Sequence, residues 1–247
     1  MERHVDNHIE WLTFDHLSAC PKLIHGVFLR HGGVSQGEFS SLNFGLNQGD
    51  DPHAVAINRK RGLTILGIED FTLLYQIHSN RVVEATARLQ EEGDALITQK
   101  KKLGLLILHA DCQAAIFYDP IHHALANVHA GWRGSVANIY GKTIQKMKDR
   151  YGTQPQDLLI GISPSLGPEA AQFIHYQNEL PSTFWPYQIK PTYFDFWQIS
   201  QFQLNQAGIL SHHIEMANLC TYTHKEDFFS YRRCKQSGRH GTIAAIK

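Results

Sequence analysis

Three side chains that can bind a metal ion stand at the ends of apolar, strand-like runs of the sequence. His78 closes YQIHSN, Cys112 follows LLILHAD, and His129 closes ALANVHAGWRG. A polar side chain at a strand end lies at the rim of a sheet, where a pocket can form without breaking the core. Two imidazoles and one thiolate suit Zn²⁺, and three protein ligands leave a fourth position for water or substrate. The pattern is therefore compatible with a catalytic zinc site.

The spacing of these residues does not decide the matter by itself. His78 and Cys112 are 34 residues apart, and Cys112 and His129 are 17 apart, with no CxxC or HExxH element. On the pattern alone, unrelated buried polar residues at strand ends are the favoured interpretation. The same residues also allow a metal-free hydrolase in which Cys112 is the nucleophile and His129 its base.

The segment HAGWRGS, residues 129–135, is a second place where chemistry is possible. Gly131, Arg133 and Gly134 lie directly before a helix-like stretch. A glycine-containing turn that enters a helix presents backbone N–H groups to an anion, and Arg133 could bind a phosphate or carboxylate. Equally, the glycines could simply form a tight turn, with Trp132 in the core. The sequence leaves both interpretations open.

The elements that position these residues alternate between short apolar strands and helices. The helical patterns cover residues 51–67, 134–152 and 194–208, each ending at a glycine. Four strand-like runs between residues 93 and 131 have no room for helical crossovers, so we expect hairpins and mixed sheets. We predict an α+β or mixed α/β fold, a layered sandwich of mixed sheets flanked by helices, as a single domain over residues 1–247. The expected strands cover 22–30, 72–79, 93–98, 103–111, 114–120, 123–131, 157–163 and 242–246.

The composition narrows the class of protein. The 23 basic and 23 acidic residues cancel, which argues against a nucleic-acid partner bound through its phosphates and against a polybasic membrane-surface protein. The first residues lack a secretory pattern, and no run reaches the ~18 apolar residues of a membrane helix. Four cysteines are too few for a disulfide scaffold, so we expect a cytoplasmic protein. Sixteen histidines exceed what one site can use.

A series of motifs runs along the chain from HGVFLRHGGVS through SLNFGL, QIHSNRV, GDALIT, LHADCQAAIFYD and NVHAGWRGS to FFSYRR and GRHGT. In these motifs and in their order the sequence resembles the YfiH or laccase-domain (DUF152) family, also known as the multicopper polyphenol oxidase, purine nucleoside phosphorylase or peptidoglycan editing factor family. The resemblance implies one zinc ion per chain, bound by His78, Cys112 and His129. It also implies that Asn43, Arg59 and Arg133 contribute to substrate binding.

The activity that this resemblance implies is phosphorolysis of purine nucleosides, with adenosine deamination and methylthioadenosine cleavage in some members. The expected partners are thus a small nucleoside and phosphate. Asp111 and His109 are candidates for protonating the departing base, although orienting a zinc ligand is an alternative role for either. The chain departs from the family at Ser79, where glycine is usual, at His240, where methionine is frequent, and in GISPSLGPEAAQF, which lacks the family's cysteine. These departures bear on substrate preference.

Other functions use the same residues differently. A metal-free Cys–His hydrolase or amidase would fit an editing role on peptidoglycan precursors. A copper-dependent polyphenol oxidase is disfavoured, because multicopper sites use H-x-H pairs and the sequence has none. Its adjacent pairs, His122-His123 and His212-His213, point to opposite faces of a strand. A non-enzymatic binding module ranks last.

Overall fold

The computed structural model of the chain describes residues 1–87 and 91–247. Within these residues the helices are α1 (Asp15–Ser18), α2 (Pro52–Ile65), α3 (Trp132–Val136), α4 (Ile139–Tyr151), α5 (Tyr176–Glu179) and α6 (Phe196–Gln206). The strands are β1 (Glu2–Asp6), β2 (Ile9–Thr13), β3 (Leu23–Phe28), β4 (Asp70–Thr72), β5 (Val82–Glu84), β6 (Ala95–Thr98), β7 (Leu103–His109), β8 (Gln113–Asp119), β9 (Ala124–Ala130), β10 (Leu159–Ile162), β11 (Gln188–Lys190), β12 (Tyr193–Phe194), β13 (Ile214–Met216) and β14 (His240–Ile246).

Two mixed six-stranded sheets form the frame. The first sheet has the order β1-β2-β3-β14-β7-β4, and the second has the order β13-β10-β8-β9-β6-β5. Most neighbours are antiparallel, but β4 runs parallel to β7, β5 to β6 and β10 to β13. The two strands β11 and β12 form a separate ribbon. The mixed α/β fold predicted from the sequence is confirmed.

The two sheets pack face to face, with helices on their outer sides. Strand alternation sends Leu105 into the core between the sheets and Leu106 to the outer side of the first sheet. There Leu106 packs in one cluster with Leu63 of α2. Ile144 of α4 and Leu204 of α6 pack in the cluster on the outer side of the second sheet. The layers are therefore helix, sheet, sheet and helix.

The short turn between β7 and β8 carries the chain from one sheet to the other. His109 at the end of β7 pairs with His240 in the first sheet, whereas Ala114 near the start of β8 pairs with His129 in the second. Asp111 in this turn has a positive φ of 80°. Cys112 follows it and thus lies where the chain changes layers.

The predicted strand over residues 72–79 ends in the structure at Thr72. Beyond it, the side chain of Gln76 replaces backbone pairing: its Nε2 donates to Leu108 O at 2.7 Å, and its Oε1 accepts from Leu108 N at 2.8 Å. The amide thus completes the edge of β7 while the backbone leaves the sheet. This frees His78 to adopt a φ of 59°, outside strand geometry.

The predicted helix over residues 134–152 is two helices. α3 ends at Val136, and α4 begins at Ile139 after Asn138, whose φ is 52°. The Asn138 side chain accepts from Gly141 N and caps α4. No helix of the described residues has the length and apolar character needed to cross a bilayer.

Candidate metal and substrate site

His78, Cys112 and His129 meet at one end of the sandwich, and we call this group the metal corner. One ligand atom from each residue lies within 4.8 Å of the others. Cys112 Sγ is 3.9 Å from His78 Nε2, and the two imidazole rings stand edge to face with centroids 4.9 Å apart. His129 is 3% exposed, whereas His78 faces solvent. The two nitrogens and one sulfur therefore form a donor set open on one side.

Asp94, a fully buried carboxylate directly before β6, organises the metal corner. Its Oδ1 is 2.9 Å from His129 Nδ1 and accepts from His78 N at 3.0 Å. Its Oδ2 accepts from both the backbone N and the Oγ of Ser79, at 2.6 and 2.7 Å. A carboxylate on one imidazole nitrogen fixes the ring and leaves the other nitrogen available to a metal. The sequence shows GDALIT but gives no indication of this role.

The charges of the metal corner support one another. Burial alone raises the pKa of the Cys112 thiol, but the charge and hydrogen bond of His129, with those of His78, outweigh burial and lower this pKa to about 6. Burial alone lowers the pKa of His129, yet Cys112 and Asp94 raise it to about 9. In the metal-free protein the thiol is therefore predominantly a thiolate at neutral pH, the form that binds metals.

Gly131 leaves the space into which the metal corner fits. A Cβ atom at this position would lie 2.8 Å from His78 Cδ2 and 3.0 Å from Cys112 Sγ. Both contacts are shorter than packing allows, so any side chain here would push two of the three donors apart. The glycine of HAGWRG thus serves the close approach of three segments as well as the turn into α3.

The metal corner opens into a cavity of about 940 Å³. Trp132, Phe173 and Phe196 line it as an aromatic wall, in which Phe173 is 5.9 Å from Trp132 and 5.2 Å from Phe196 between ring centroids. Its charged lining comprises one carboxylate, Asp111, and four guanidinium groups, namely Arg59, Arg133, Arg232 and Arg239. A chain with no net charge thus concentrates positive charge around one cavity.

A family model described as multi-copper polyphenol oxidoreductase laccase matches residues 24–247. The chain belongs to this laccase family. The resemblance inferred from the motifs is therefore confirmed.

Several relatives within the laccase family are named purine nucleoside phosphorylase. One from Pseudomonas aeruginosa is 32% identical over 96% of this chain and 98% of its own length. One from Bacteroides thetaiotaomicron is 30% identical, covering 92% of this chain and 93% of the relative. A third, from Corynebacterium glutamicum, is 36% identical over 87% of this chain and 90% of its own length.

Solved structures show the same fold. YlmD from Geobacillus stearothermophilus superposes with a TM-score of 0.89 at 26% identity, covering 99% of this chain and 98% of that one. The Bacillus licheniformis protein YfiH gives a TM-score of 0.88 at 26% identity, covering 98% and 97%. The two-sheet frame described above is thus the frame of these laccase-family structures.

The two candidates for proton transfer lie beside the metal corner, but their surroundings differ. Asp111 accepts from Thr221 Oγ1 at 2.7 Å and from Arg232 N at 2.6 Å, so its carboxylate ties two loops together. His109 is buried at 2% exposure, with Nε2 2.8 Å from Thr242 Oγ1. Burial, reinforced by the charges of His240 and His129, lowers the pKa of His109 well below its usual value and keeps it neutral.

The three residues implied in substrate binding are divided by the structure. Arg59 and Arg133 line the cavity, and Arg133 stacks on Trp132 with its Cζ 4.2 Å from the ring centroid. Asn43 does not line the cavity: it is fully buried, and both of its amide atoms bond to the protein itself. Arg239, which sequence reasoning missed, does line it.

The anion seat considered at residues 129–135 does not take the expected form. The helix that follows Gly131 is α3, which has five residues, and the longer α4 begins beyond a separate cap at Asn138. A single short turn of helix offers little of the dipole that the longer helix would have supplied. The positive charge near the metal corner comes instead from the arginine side chains.

Proposed function

We propose that this protein is a zinc-dependent purine nucleoside phosphorylase. The observation that carries the proposal is the position of the metal corner at the wall of a cavity lined by arginines and aromatic rings. Such a cavity can hold an anion and a flat heteroaromatic base side by side. The relatives named purine nucleoside phosphorylase, which span nearly the whole chain, support the same activity.

The residues present fit one zinc ion per chain. His78, Cys112 and His129 would hold it, since zinc favours mixed nitrogen and sulfur donors and a catalytic site needs an open fourth position. When bound, zinc supplies positive charge that can polarise a substrate oxygen or water. Asp94 orients His129 for this purpose and anchors the backbone of His78.

The aromatic wall is the proposed binding surface for the purine. Trp132, Phe173 and Phe196 present flat apolar surface to the cavity. Arg133 stacks on Trp132. Base–aromatic stacking contributes about 1–3 kcal/mol per base. Arg133 belongs to this nucleoside side of the cavity, because its Cζ lies over the Trp132 ring, 4.2 Å from the centroid.

Positive charge around the cavity is the proposed means of binding phosphate. Arginine forms paired, charge-assisted hydrogen bonds to phosphate oxygens. In phosphorolysis, a phosphate oxygen attacks the ribose C1′ as the glycosidic bond breaks, and the base leaves with a proton. His109 and Asp111 both line the cavity and are the two candidates to give the departing base its proton; the carboxylate of Asp111 is already bonded at both oxygens, and the ring of His109 is buried.

One product assay tests the proposal. Zinc-loaded protein is incubated with inosine or adenosine, with and without phosphate, and hypoxanthine, adenine, inosine and ribose 1-phosphate are quantified. We expect base and ribose 1-phosphate in equal amounts, only when phosphate is present. Conversion of neither nucleoside under any of these conditions would refute the proposal.

The same assay addresses two further activities that we propose on the family resemblance, adenosine deamination and methylthioadenosine cleavage. Deamination yields inosine from adenosine and needs no phosphate, so it is separated from phosphorolysis by omitting phosphate. Methylthioadenosine as substrate yields adenine with phosphate. Each activity is scored by its own product.

A metal-free Cys–His hydrolase is the second candidate, favoured by the lowered pKa of Cys112 beside His129. Such a thiolate is nucleophilic without any metal. Metal analysis of protein purified without chelator separates the two: one equivalent of zinc favours the phosphorylase, and full activity in metal-depleted protein favours the hydrolase.

A multicopper oxidase has less support, although the family description mentions copper. Among residues 1–87 and 91–247, one group of three histidine, cysteine or acidic side chains could hold a metal ion. A multicopper enzyme needs several ions in electronic contact. Copper-dependent oxidation of a phenol that disappears in Cys112→Ala, in protein without zinc, would reverse this assessment.

A further inference from the structure

Two of the arginines that line the cavity, Arg59 and Arg239, are held by one buried hub, the backbone of residues 43–45 and the side chain of Asn43. Asn43 Oδ1 accepts from Arg239 N at 2.8 Å and from Gly45 N at 2.8 Å. Its Nδ2 donates to Gly45 O at 3.0 Å and to Asp50 Oδ2 at 2.8 Å. Three of these four hydrogen bonds hold backbone, and the fourth binds the carboxylate of Asp50.

The backbone of Phe44, inside this hub, joins both arginines. Arg59 Nε donates to Phe44 O at 2.9 Å, and Phe44 N donates to Arg239 O at 2.9 Å. Asn58, the neighbour of Arg59 on α2, donates from Nδ2 to Asn43 O at 2.9 Å. Consecutive residues of α2 are therefore fixed to consecutive residues of the 43–45 segment, which places Arg59 beside Arg239.

Gly45 allows the side chain of Arg239 to lie across the backbone. A Cβ at this position would clash with Gln48 Oε1 and would be 2.8 Å from Arg239 Cγ and 3.1 Å from Arg239 Cβ. The three consecutive residues Asn43, Phe44 and Gly45 of the SLNFGL motif thus each act on an arginine that lines the cavity. Of the motif's six residues, Leu46 lines the cavity, whereas Asn43, Phe44 and Gly45 lie behind its surface.

The two guanidinium groups have donors left over. Within the described residues, Arg59 uses Nε alone, and Arg239 uses Nη1 alone, on the carbonyls of Ser237 and Gly238 and the Ser237 hydroxyl. Neither forms an ion pair with a carboxylate of the described part of the chain, although both are half-buried. Burial lowers the pKa of both groups. Half-buried cations without an anionic partner favour binding of an anion.

We propose that Arg59 and Arg239 form the subsite for a phosphate dianion in this cavity, and that Asn43 is the positioning residue that holds them together. We call this pair the arginine wall. The dianion is either inorganic phosphate or the phosphate group of a nucleotide, since both present the same oxygens. The inference rests on the proposed function for the identity of the reaction, but it concerns binding alone.

Binding of inorganic phosphate to zinc-loaded protein, measured by titration calorimetry, tests the arginine wall. Arg59→Gln and Arg239→Gln should each weaken phosphate affinity roughly 10- to 100-fold, as expected for loss of a charged hydrogen-bonding partner. Arg61→Gln is the matched control: it lies on the same helix, its Nη1 donates to Gly32 O, and it is outside the cavity. It should leave phosphate affinity unchanged.

Two comparisons refine this test. Arg133→Gln should weaken the nucleoside more than phosphate, because Arg133 stacks on the aromatic wall. A nucleoside 5′-monophosphate, titrated beside its nucleoside, identifies the source of the dianion: tighter binding that disappears in Arg239→Gln indicates a nucleotide, and equal binding indicates free phosphate. Unchanged affinity for both phosphate and nucleotide in Arg59→Gln and Arg239→Gln would overturn the proposal.

The role of Asn43 needs a readout that a loss of stability would not move. Asn43→Ala should weaken phosphate binding selectively, with zinc content and nucleoside affinity unchanged. If this variant does not fold, Gly45→Ala, whose methyl group would clash with Arg239 Cγ and with Gln48 Oε1, should give the same selective loss, with Gln48→Ala as the control for the second clash. Equal weakening of phosphate and nucleoside would contradict a positioning role. Because none of these measurements needs turnover, the arginine wall can fail while phosphorolysis is observed, or hold while it is not.

Discussion

The metal corner and the arginine wall face the same cavity, yet they are built in opposite ways. In the metal corner the reactive side chains themselves come together from distant strand ends, and one carboxylate, Asp94, orients them. In the arginine wall the buried amide of Asn43 holds backbone, and the backbone in turn directs Arg59 and Arg239. One region depends on which side chains are present, the other on how a short segment is folded.

This difference has a practical consequence. Within residues 1–87 and 91–247 the two regions share no residue and no hydrogen-bonding partner, and their supports, Asp94 and Asn43, belong to different segments. The interaction between them is the charge of Cys112 acting on Arg239. Substitutions at sites without shared partners usually act independently. Zinc affinity and phosphate affinity should therefore be separable, and the predictions below test that separation.

Removal of a donor from the metal corner should have the largest effect. Cys112→Ala or His129→Ala leaves two donors, so we expect zinc content to fall below one equivalent and phosphorolysis to be lost with it. Phosphate affinity should persist, since the arginine wall is untouched. Metal analysis and calorimetry on the same samples measure both.

Cys234→Ser is the matched control, because Cys234 lies outside the cavity with its Sγ 3.7 Å from Gln236 O. It should retain zinc and activity. A full equivalent of zinc in Cys112→Ala would show that the metal binds elsewhere, and a parallel loss of phosphate binding would show that the two regions are one.

Asp94→Asn should weaken zinc binding about 10- to 100-fold, the usual cost of losing a partner that orients a ligand. The neutral amide still reaches His129 but cannot accept all the hydrogen bonds that the carboxylate receives from the 77–79 segment. Competition with a chromophoric chelator measures the affinity. Ser79→Ala, which removes one of those hydrogen bonds, should weaken zinc binding less. An equal loss would show that the hydrogen bond from Ser79, and not the charge of Asp94, orients the ligands.

The reactivity of Cys112 should follow its lowered pKa. In metal-free protein, alkylation by iodoacetamide should rise as the pH increases through about 6, because the thiolate is the reacting form. Below that pH the thiol is protonated and the rate falls. Mass spectrometry locates the label, and Cys112→Ser serves as the blank. Zinc should suppress the reaction. If the pH midpoint of the alkylation rate lies near the pKa of an ordinary thiol, the charge interaction of Cys112 with His129 is refuted.

Gly131→Ala should have a smaller effect on the metal corner than removal of a donor. Its methyl group crowds His78 and Cys112, and overpacking of this kind costs about 1–3 kcal/mol. We expect weaker zinc binding in a folded protein. Gly134→Ala, whose nearest contact would be Ser79 O at 3.3 Å, is the milder comparison. Equal zinc affinities in the two variants would show that the corner relaxes without cost.

Residue type and position at strand ends drew attention to His78, Cys112 and His129, but the pattern alone favoured unrelated buried polar residues, and it was the family resemblance that implied a common metal site. The structure brings the three together. Sequence reasoning could not identify Asp94, whose partners His78 and His129 are 16 and 35 residues away. The family resemblance implied that Asn43 contributes to substrate binding; in the structure the amide is buried and accepts from Arg239 N. The residue types of SLNFGL do not reveal that its backbone atoms bind two arginines.

The fold was predictable to a similar depth. The buried strands of the centre carry continuous apolar runs and were expected, as was the mixed character of the sheets. The β1–β2 hairpin was missed, because β1 is polar and exposed and the turn uses Asn7 and His8 at φ 48° and 65° instead of glycine. The strand over 72–79 was too long because a side chain, Gln76, performs the pairing that backbone was expected to perform.

The pairing of Ala114 with His129 in the second sheet sets a limit on how this protein can vary during evolution. Insertions in the loops between the donors would change their separation in the chain without moving them in space. A slip of one residue along β9, by contrast, would turn His129 to the opposite face of its sheet and replace it with an aliphatic neighbour. Length variation should thus be tolerated between these strands and selected against within them.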